Sequence, residues 1–172
     1  ADSEFEALVL ECSLIKRHQP RYNILLKDGK GYPYIRVSRD EYPRFSLTGK
    51  VAEDGAQYFG PYASRSSTQD IIDALRDALH LPSCNRKFPR DIGKERPCLN
   101  FHMGKCDGYC RSLNLKPQHD EAISQAIRLL EGRFQDVQAD LTAEMELAAE
   151  ELRFEQAALI RDRLRAIELL GK

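Results

Sequence analysis

Four of the five cysteines lie within 27 residues, at Cys84, Cys98, Cys106 and Cys110. Thirteen, seven and three residues separate them in turn. Four thiolates can close a tetrahedral zinc site or hold a four-iron, four-sulfur (4Fe-4S) cluster. Structural zinc ligands usually come in close pairs, and only Cys106 and Cys110 are so placed. A cluster with an iron at each corner accepts wider gaps, so the spacing leans toward 4Fe-4S, with zinc as the alternative. Lys87, Arg90, Lys94, Arg96, Lys105 and Arg111 would partly offset the negative charge of such a centre. Buried reduced thiols without a metal are the plainer reading. A disulfide framework would need an oxidising compartment. The fifth cysteine, Cys12, falls on an amphipathic helix face and reads as a small core residue.

The charges are also unevenly spread. Lys plus Arg number 26 and Asp plus Glu 27, a net charge of −1. That balance excludes a protein that is basic throughout. Yet residues 14–50 hold nine basic against three acidic residues, and residues 84–118 hold eight against three. Residues 119–172 reverse this, with seven against twelve. Lys and Arg displace condensed counterions from phosphates, so the basic thirds suit a polyanion such as DNA. Hydrophobic residues make up 42% of the chain, and no apolar run approaches the ~20 residues that span a bilayer. No membrane partner is expected. The first residues, ADSEFEAL, carry no secretory pattern, and the lack of an initiator Met suggests a fragment or a processed chain.

These groups need scaffolding. Residues 3–18 read as a helix, with a Ser3/Glu6 capping box and Phe5, Leu8, Val9, Cys12 and Ile15 at helical spacing, ended by Pro20. Tyr22–Leu26, Tyr34–Ser38, Arg44–Thr48 and Gln57–Phe59 read as short strands between Gly and Pro turns, with Val37, Phe45 and Leu47 on the apolar face. A second helix is expected over 67–81, capped by Ser67 with Asp70 in its first turn. Residues 82–118 lack periodicity and need a bound metal to fold. From Pro117 the pattern is helical to the end. Its stripes are Ala122, Ile123, Ala126, Leu129 and Leu130, then Leu141, Met145, Ala148 and Leu152, then Ala157, Ile160, Leu164 and Ile167. A break near Leu152 and Arg153 folds the last two stripes into a hairpin. The fold class is modular α+β.

Four segments then match one family in order: EALVLECSLIKRHQPRYNILLKDGKGYPYIRV, PRFSLTGKV with YFGPY, RPCLNFHMGKCDGYC, and AAEELRFEQAALIRDRLRAI. Together they resemble the UvrC family, the incision subunits of bacterial nucleotide excision repair. The resemblance implies four parts: residues 1–26 as the end of a GIY-YIG nuclease domain, 27–81 as a small sheet plus helix, 82–118 as the cysteine region, and 119–172 as a helical region whose UVR hairpin spans about 137–172. The two tyrosine motifs that name the nuclease domain, and the family's C-terminal nuclease and helix-hairpin-helix units, are not in these 172 residues. An internal piece, inactive by itself, is therefore expected.

The resemblance also assigns roles. Glu11 matches the glutamate that binds Mg²⁺ or Mn²⁺ at the incision site, and Asn23 matches an active-site asparagine. Lys16, Arg17, His18, Arg21, Lys27 and Lys30 become phosphate contacts to damaged double-stranded DNA. The cysteines become 4Fe-4S ligands. Phe154, with Ala157, Ala158 and Arg161, becomes the contact with UvrB, and a bacterial cytoplasmic location follows. An exposed aromatic among small residues is a sound anchor in its own right, and the alternative is that Phe154 closes the hairpin's own core. Self-association of the hairpin is a further possible pairing. A competing reading is a non-enzymatic adaptor that joins a zinc-bound cysteine module to a UVR-type hairpin. It leaves the Glu11 helix and YFGPY unexplained.

Overall fold

Between residues 34 and 59 glycines and prolines leave only short extended pieces, and three of them pair. The structure is a computed structural model that describes Phe5, Ala7 and residues 32–170. Strand β1 (Tyr34–Val37) lies between β2 (Phe45–Thr48) and β3 (Gln57–Phe59), antiparallel to both. Ile35 faces Leu47 and Phe59 in register, and Val37 faces Phe45 and Gln57. Side chains alternate across a strand, so Ile35 and Val37 point to one side and are buried there. The expected strand over 22–26 lies outside the described residues, as does the helix over 3–18 apart from Phe5 and Ala7, which are helical.

The YFGPY segment closes the sheet. Gly60 takes a φ of +140°, and a Cβ there would sit 3.0 Å from the Tyr34 ring and 3.2 Å from the Pro33 carbonyl. Only glycine admits that approach. It lets the Tyr62 N–H reach the Pro33 carbonyl at 2.9 Å and the Tyr62 ring enter the core.

Helix α1 (Arg65–Leu79) begins and ends two residues earlier than the 67–81 that its sequence suggests. Ser64, not Ser67, is the cap: its hydroxyl accepts the Ser67 N–H at 3.1 Å. The first turn holds no acidic residue. Ile71, Ile72, Leu75 and Leu79 are fully buried, each contributing roughly 1.5–3 kcal/mol by leaving water. The helix packs on β1 and β2 and also meets the C-terminal helices. His80 ends it in the left-handed conformation, its N–H on the Arg76 carbonyl.

After the cysteine region, with its short helix α2 (Leu99–His102), come α3 (Lys116–Leu130), α4 (Phe134–Glu150) and α5 (Phe154–Leu170). The continuous helix expected after Pro117 is thus broken once more than anticipated. Gly132, at φ +80°, makes the break, with its N–H on Leu129 and the Arg133 N–H on Arg128. This is the usual glycine stop of a helix C-terminus. Leu152 makes the second break at φ +62° and is exposed, so it does not join the stripe of Leu141, Met145 and Ala148.

Helices α4 and α5 form the expected antiparallel hairpin. One apolar cluster runs through Phe5, the sheet, α1, α3 and the hairpin. The Phe5 ring meets Phe134 edge to face at 5.6 Å. Among the described residues no helix is long and apolar enough to cross a membrane.

Candidate functional site

The cysteines reach one place from four different local structures. Cys84 follows the turn after α1, and Cys98 precedes α2 as its N-terminal flank. The Cys106 N–H is held by the Asn100 carbonyl at 3.2 Å, and Cys110 lies in a 3-10 turn over Tyr109–Arg111. All four line a single pocket with about 320 Å³ of empty space, part of it continuous with solvent. Pro82, Phe88, Phe101 and Tyr109 supply apolar wall. None of the four is in a disulfide.

The donors around the sulfurs are specific. The Gly108 N–H donates to Cys106 Sγ at 3.3 Å. Gly108 holds φ +69°, and a Cβ would lie 2.6 Å from the Phe101 ring, so glycine is required. Arg86 donates to Cys110 Sγ at 3.1 Å and to the Arg96 carbonyl at 2.8 Å. Arg44, on the strand side, donates to the carbonyls of Cys84 and Arg86 at 2.6 and 2.7 Å, and its Nη2 lies 3.7 Å from Cys84 Sγ. So the cations that touch sulfur are Arg86 and Arg44. Of the six expected to offset the charge of such a centre, Arg111 turns to Phe101 and to the carbonyls of Gly108 and Asp107, and Arg90 pairs with Asp91.

Burial pushes the Cys106 thiol above its ordinary pKa; the Gly108 N–H opposes this, while Cys84, Asp107 and Cys98 add to it. Ionising several such thiols together is costly without a cation among them, which is how metal binding and thiol deprotonation become linked. Four unpaired thiols around an apolar-walled pocket, with two guanidiniums behind them, suit a thiolate-bound cationic centre. Among the described residues no three His, Cys, Asp or Glu side chains close on one point that would hold a single metal ion.

Asp107 ties this loop to the scaffold. Its N–H bonds the His80 carbonyl at 3.0 Å. Its carboxylate meets His80 Nδ1 at 3.3 Å, the Tyr109 hydroxyl at 3.2 Å and Arg163 of α5 at 3.2 Å. Burial pushes this carboxyl up, but the His80 hydrogen bond, Arg163 and Tyr109 outweigh it, and the pKa lies below the usual value. His119 of α3 is buried between the Tyr42 and Tyr109 rings, at 5.2 and 5.0 Å. Burial lowers its pKa to about 4, so it is neutral near pH 7.

The other expected site residues divide in two. Phe154 opens α5 and is 63% exposed, so it does not close the hairpin's own core. Leu152 and Leu159 are 72% and 67% exposed, Ala157 and Ala158 are half-buried, and Arg161 is exposed. Glu11, Asn23, Lys16, Arg17, His18, Arg21, Lys27 and Lys30 lie outside the described residues. Arg44 is the contact that sequence reasoning missed: it precedes Cys84 by forty residues and shares no motif with it. Asp107 and Arg163 were missed as a pair for the same reason.

The chain matches three family models: "UvrC/Cho excinuclease, middle domain" over residues 32–129, "UvrB/uvrC motif" over 135–170, and "UvrC-like GIY-YIG domain" over 1–24. It is 48% identical over 172 residues to the UvrABC system protein C of Ruminiclostridium cellulolyticum and 44% identical over 172 residues to that of Acetivibrio thermocellus. The protein of the same name from Thermoanaerobacter sp. is 45% identical over 168 residues. These matches cover 97–99% of this chain but only 27–28% of each relative, so the chain spans little more than a quarter of their length. No solved structure matches it significantly. With a middle-domain match across more than half of its residues, the chain belongs to the UvrC family.

Proposed function

We propose that this chain is an internal part of an excision-repair nuclease subunit that incises the damaged DNA strand on either side of a lesion after docking on UvrB. In this reading α4 and α5 form the docking hairpin, residues 82–115 hold the cysteine centre, and the segment with Glu11 and Asn23 belongs to the incision domain. The observation that carries it is the exposure of three large apolar side chains, Leu152, Phe154 and Leu159, within the segment that matches the UvrB/uvrC motif. An aromatic held out into water beside half-buried alanines leaves room for a second hairpin, and apolar burial then drives docking.

At the incision site, Glu11 would hold Mg²⁺ or Mn²⁺, a hard cation that takes carboxylate oxygen and polarises phosphate. Lys16, Arg17, His18, Arg21, Lys27 and Lys30 would hold backbone phosphates, which positions DNA without reading its sequence. Cys84, Cys98, Cys106 and Cys110 would hold a 4Fe-4S cluster, which shapes the loop. Thiols that ring a pocket suit a cluster with an iron at each corner better than one zinc ion, which draws its ligands to a point. The expected location is the bacterial cytoplasm.

Titration calorimetry of the full chain against UvrB tests the docking. Phe154→Ala should weaken binding by more than about 1 kcal/mol, the usual mark of an anchor residue. Unchanged affinity would overturn that role.

A further inference from the structure

The described residues carry their positive excess in one place. Residues 32–81 hold six basic and seven acidic residues, and residues 119–170 hold six and twelve. Residues 82–118 hold eight and three. The eight have separate jobs. Arg86 turns inward to Cys110 and also pairs with Glu95 at 3.5 Å. Arg90 pairs with Asp91 and Lys116 with Asp120. Arg111 is stacked on Phe101.

Lys87, Lys94, Arg96 and Lys105 remain. All four are exposed, and none has an ion pair or a side-chain hydrogen bond among the described residues. They are not scattered. The Asp91 carboxylate accepts the Lys87 N–H at 2.7 Å, and its carbonyl accepts that of Lys94 at 3.3 Å. The Arg96 carbonyl accepts from Arg86. The Lys105 N–H is held at 2.8 Å by the carbonyl of Asn100, which lines the cysteine pocket. Lys94 follows Gly93, whose N–H reaches the Cys110 carbonyl at 2.8 Å, so the four unpaired cations lie on loop segments tied by hydrogen bonds to, or adjoining, residues that line one pocket. The sulfurs already have Arg86 and Arg44, so among the described residues these four are free to meet a partner.

We propose that the outer face of the cysteine loop docks the phosphate backbone of duplex DNA through Lys87, Lys94, Arg96 and Lys105. The choice of DNA over other polyanions rests on the excision-repair reading above. These four residues are distinct in sequence from the residue 16–30 cluster, and contact to phosphates alone suits cutting directed by damage rather than by sequence. The acidic hairpin faces a protein partner and would repel the duplex, so the two surfaces divide the partners between them.

The test is fluorescence anisotropy of the full metal-loaded chain on two short duplexes of unrelated sequence, from 50 to 200 mM salt. The quadruple variant Lys87→Gln, Lys94→Gln, Arg96→Gln, Lys105→Gln should bind both duplexes more weakly. Its salt slope should fall by about 3–4, at about 0.9 per lost phosphate contact. The charge-keeping variant Lys87→Arg, Lys94→Arg, Arg96→Lys, Lys105→Arg should retain the wild-type slope, which separates lost charge from a damaged fold. An unchanged slope in the Gln variant overturns the proposal, and so does a wild-type chain that does not bind DNA. Loss of UvrB affinity in the Gln variant with DNA binding intact would assign the patch to an acidic protein surface and overturn it as well. The excision-repair reading fails separately, on the Phe154→Ala titration.

Discussion

The cysteine loop and the helical half of the molecule are held by different forces. Of residues 82–115 only Pro82, Gly108, Tyr109 and Cys110 are buried. The fifteen residues of α3 alone bury seven. The helices fold because apolar stripes leave water, a drive that needs no ligand. The loop has little such area. Its shape rests on backbone turns, two arginines that cap carbonyls and sulfurs, and the Asp107 anchor to His80 and Arg163. Structural order without a core is the condition in which a bound centre adds most to folding. The contrast implies that the two regions should fail under different treatments.

Leu79 and Cys110 give the sharpest separation. Leu79 is fully buried in the cluster shared by sheet and helices. Leu79→Ala should cost roughly 2–5 kcal/mol, lost methyls plus the cavity they leave, and should shift the whole urea transition. Cys110→Ser should leave most helical circular dichroism in place and open residues 85–105 to protease. If Cys110→Ser instead unfolds the helices in one cooperative step, the regions are a single unit and the contrast is broken.

His119 lies where they meet, between Tyr42 beside the sheet and Tyr109 of the loop. Burial lowers its pKa from 6.5 to about 4; Asp120 opposes this, and Arg44 and Lys116 add to it. The folded state thus holds its proton less tightly than the unfolded state. Its contribution is intact above pH 6.5 and is lost as pH falls toward 4, reaching roughly 3 kcal/mol at 1.36 kcal/mol per unit. Glu144 runs the other way. Burial, with Glu121 nearby, raises its pKa to about 7, so its contribution is lost as pH rises from 4.5 to 7. Urea midpoints from pH 7.5 to 4.5 for wild type and His119→Gln isolate the histidine. The gap between them should change in the variant's favour as pH falls. A constant gap would mean that His119 is hydrated in the folded chain.

The helical half was largely legible in the sequence because periodic burial leaves a periodic pattern. The stripe Ala122, Ile123, Ala126, Leu129 and Leu130 is buried as the spacing predicts, and the three described strands fall within a residue of their expected bounds. The misses are local. Ser64 and Ser67 are both competent caps, and only tertiary packing selects between them. Gly132 inside a long helical pattern reads as a tolerated cost until its positive φ is seen. The exposed Phe154 was anticipated as an aromatic anchor among small residues, and its exposure sets aside the alternative that it closes the hairpin's own core. The loop was legible only as a set of cysteines. Arg44 reaches Cys84 across forty residues, and the Asp107–Arg163 pair spans fifty-six. Such pairs leave no periodicity in a single sequence. The six basic residues assigned to offset the sulfurs show the same limit: charge can be counted, but its direction needs a backbone.

The Asp107–Arg163 contact is the smallest test of the contrast and the most informative about how the regions communicate. Arg163 stands on α5, within the segment that matches the UvrB/uvrC motif, yet its guanidinium points at the residue after Cys106. It also approaches the Leu79 carbonyl at 3.5 Å. The Arg163 side chain is largely shielded and that of Asp107 is partly open, so solvent screens the pair and its worth is about 1 kcal/mol. Arg163→Ala should cost about that much in global stability. It should speed amide exchange at residues 106–110 more than along α4. Asp107→Asn should give the same local loosening, and the double variant should cost less than the sum, because both single changes break one contact. Strict additivity would mean that the loop and the hairpin share a boundary without being coupled through it.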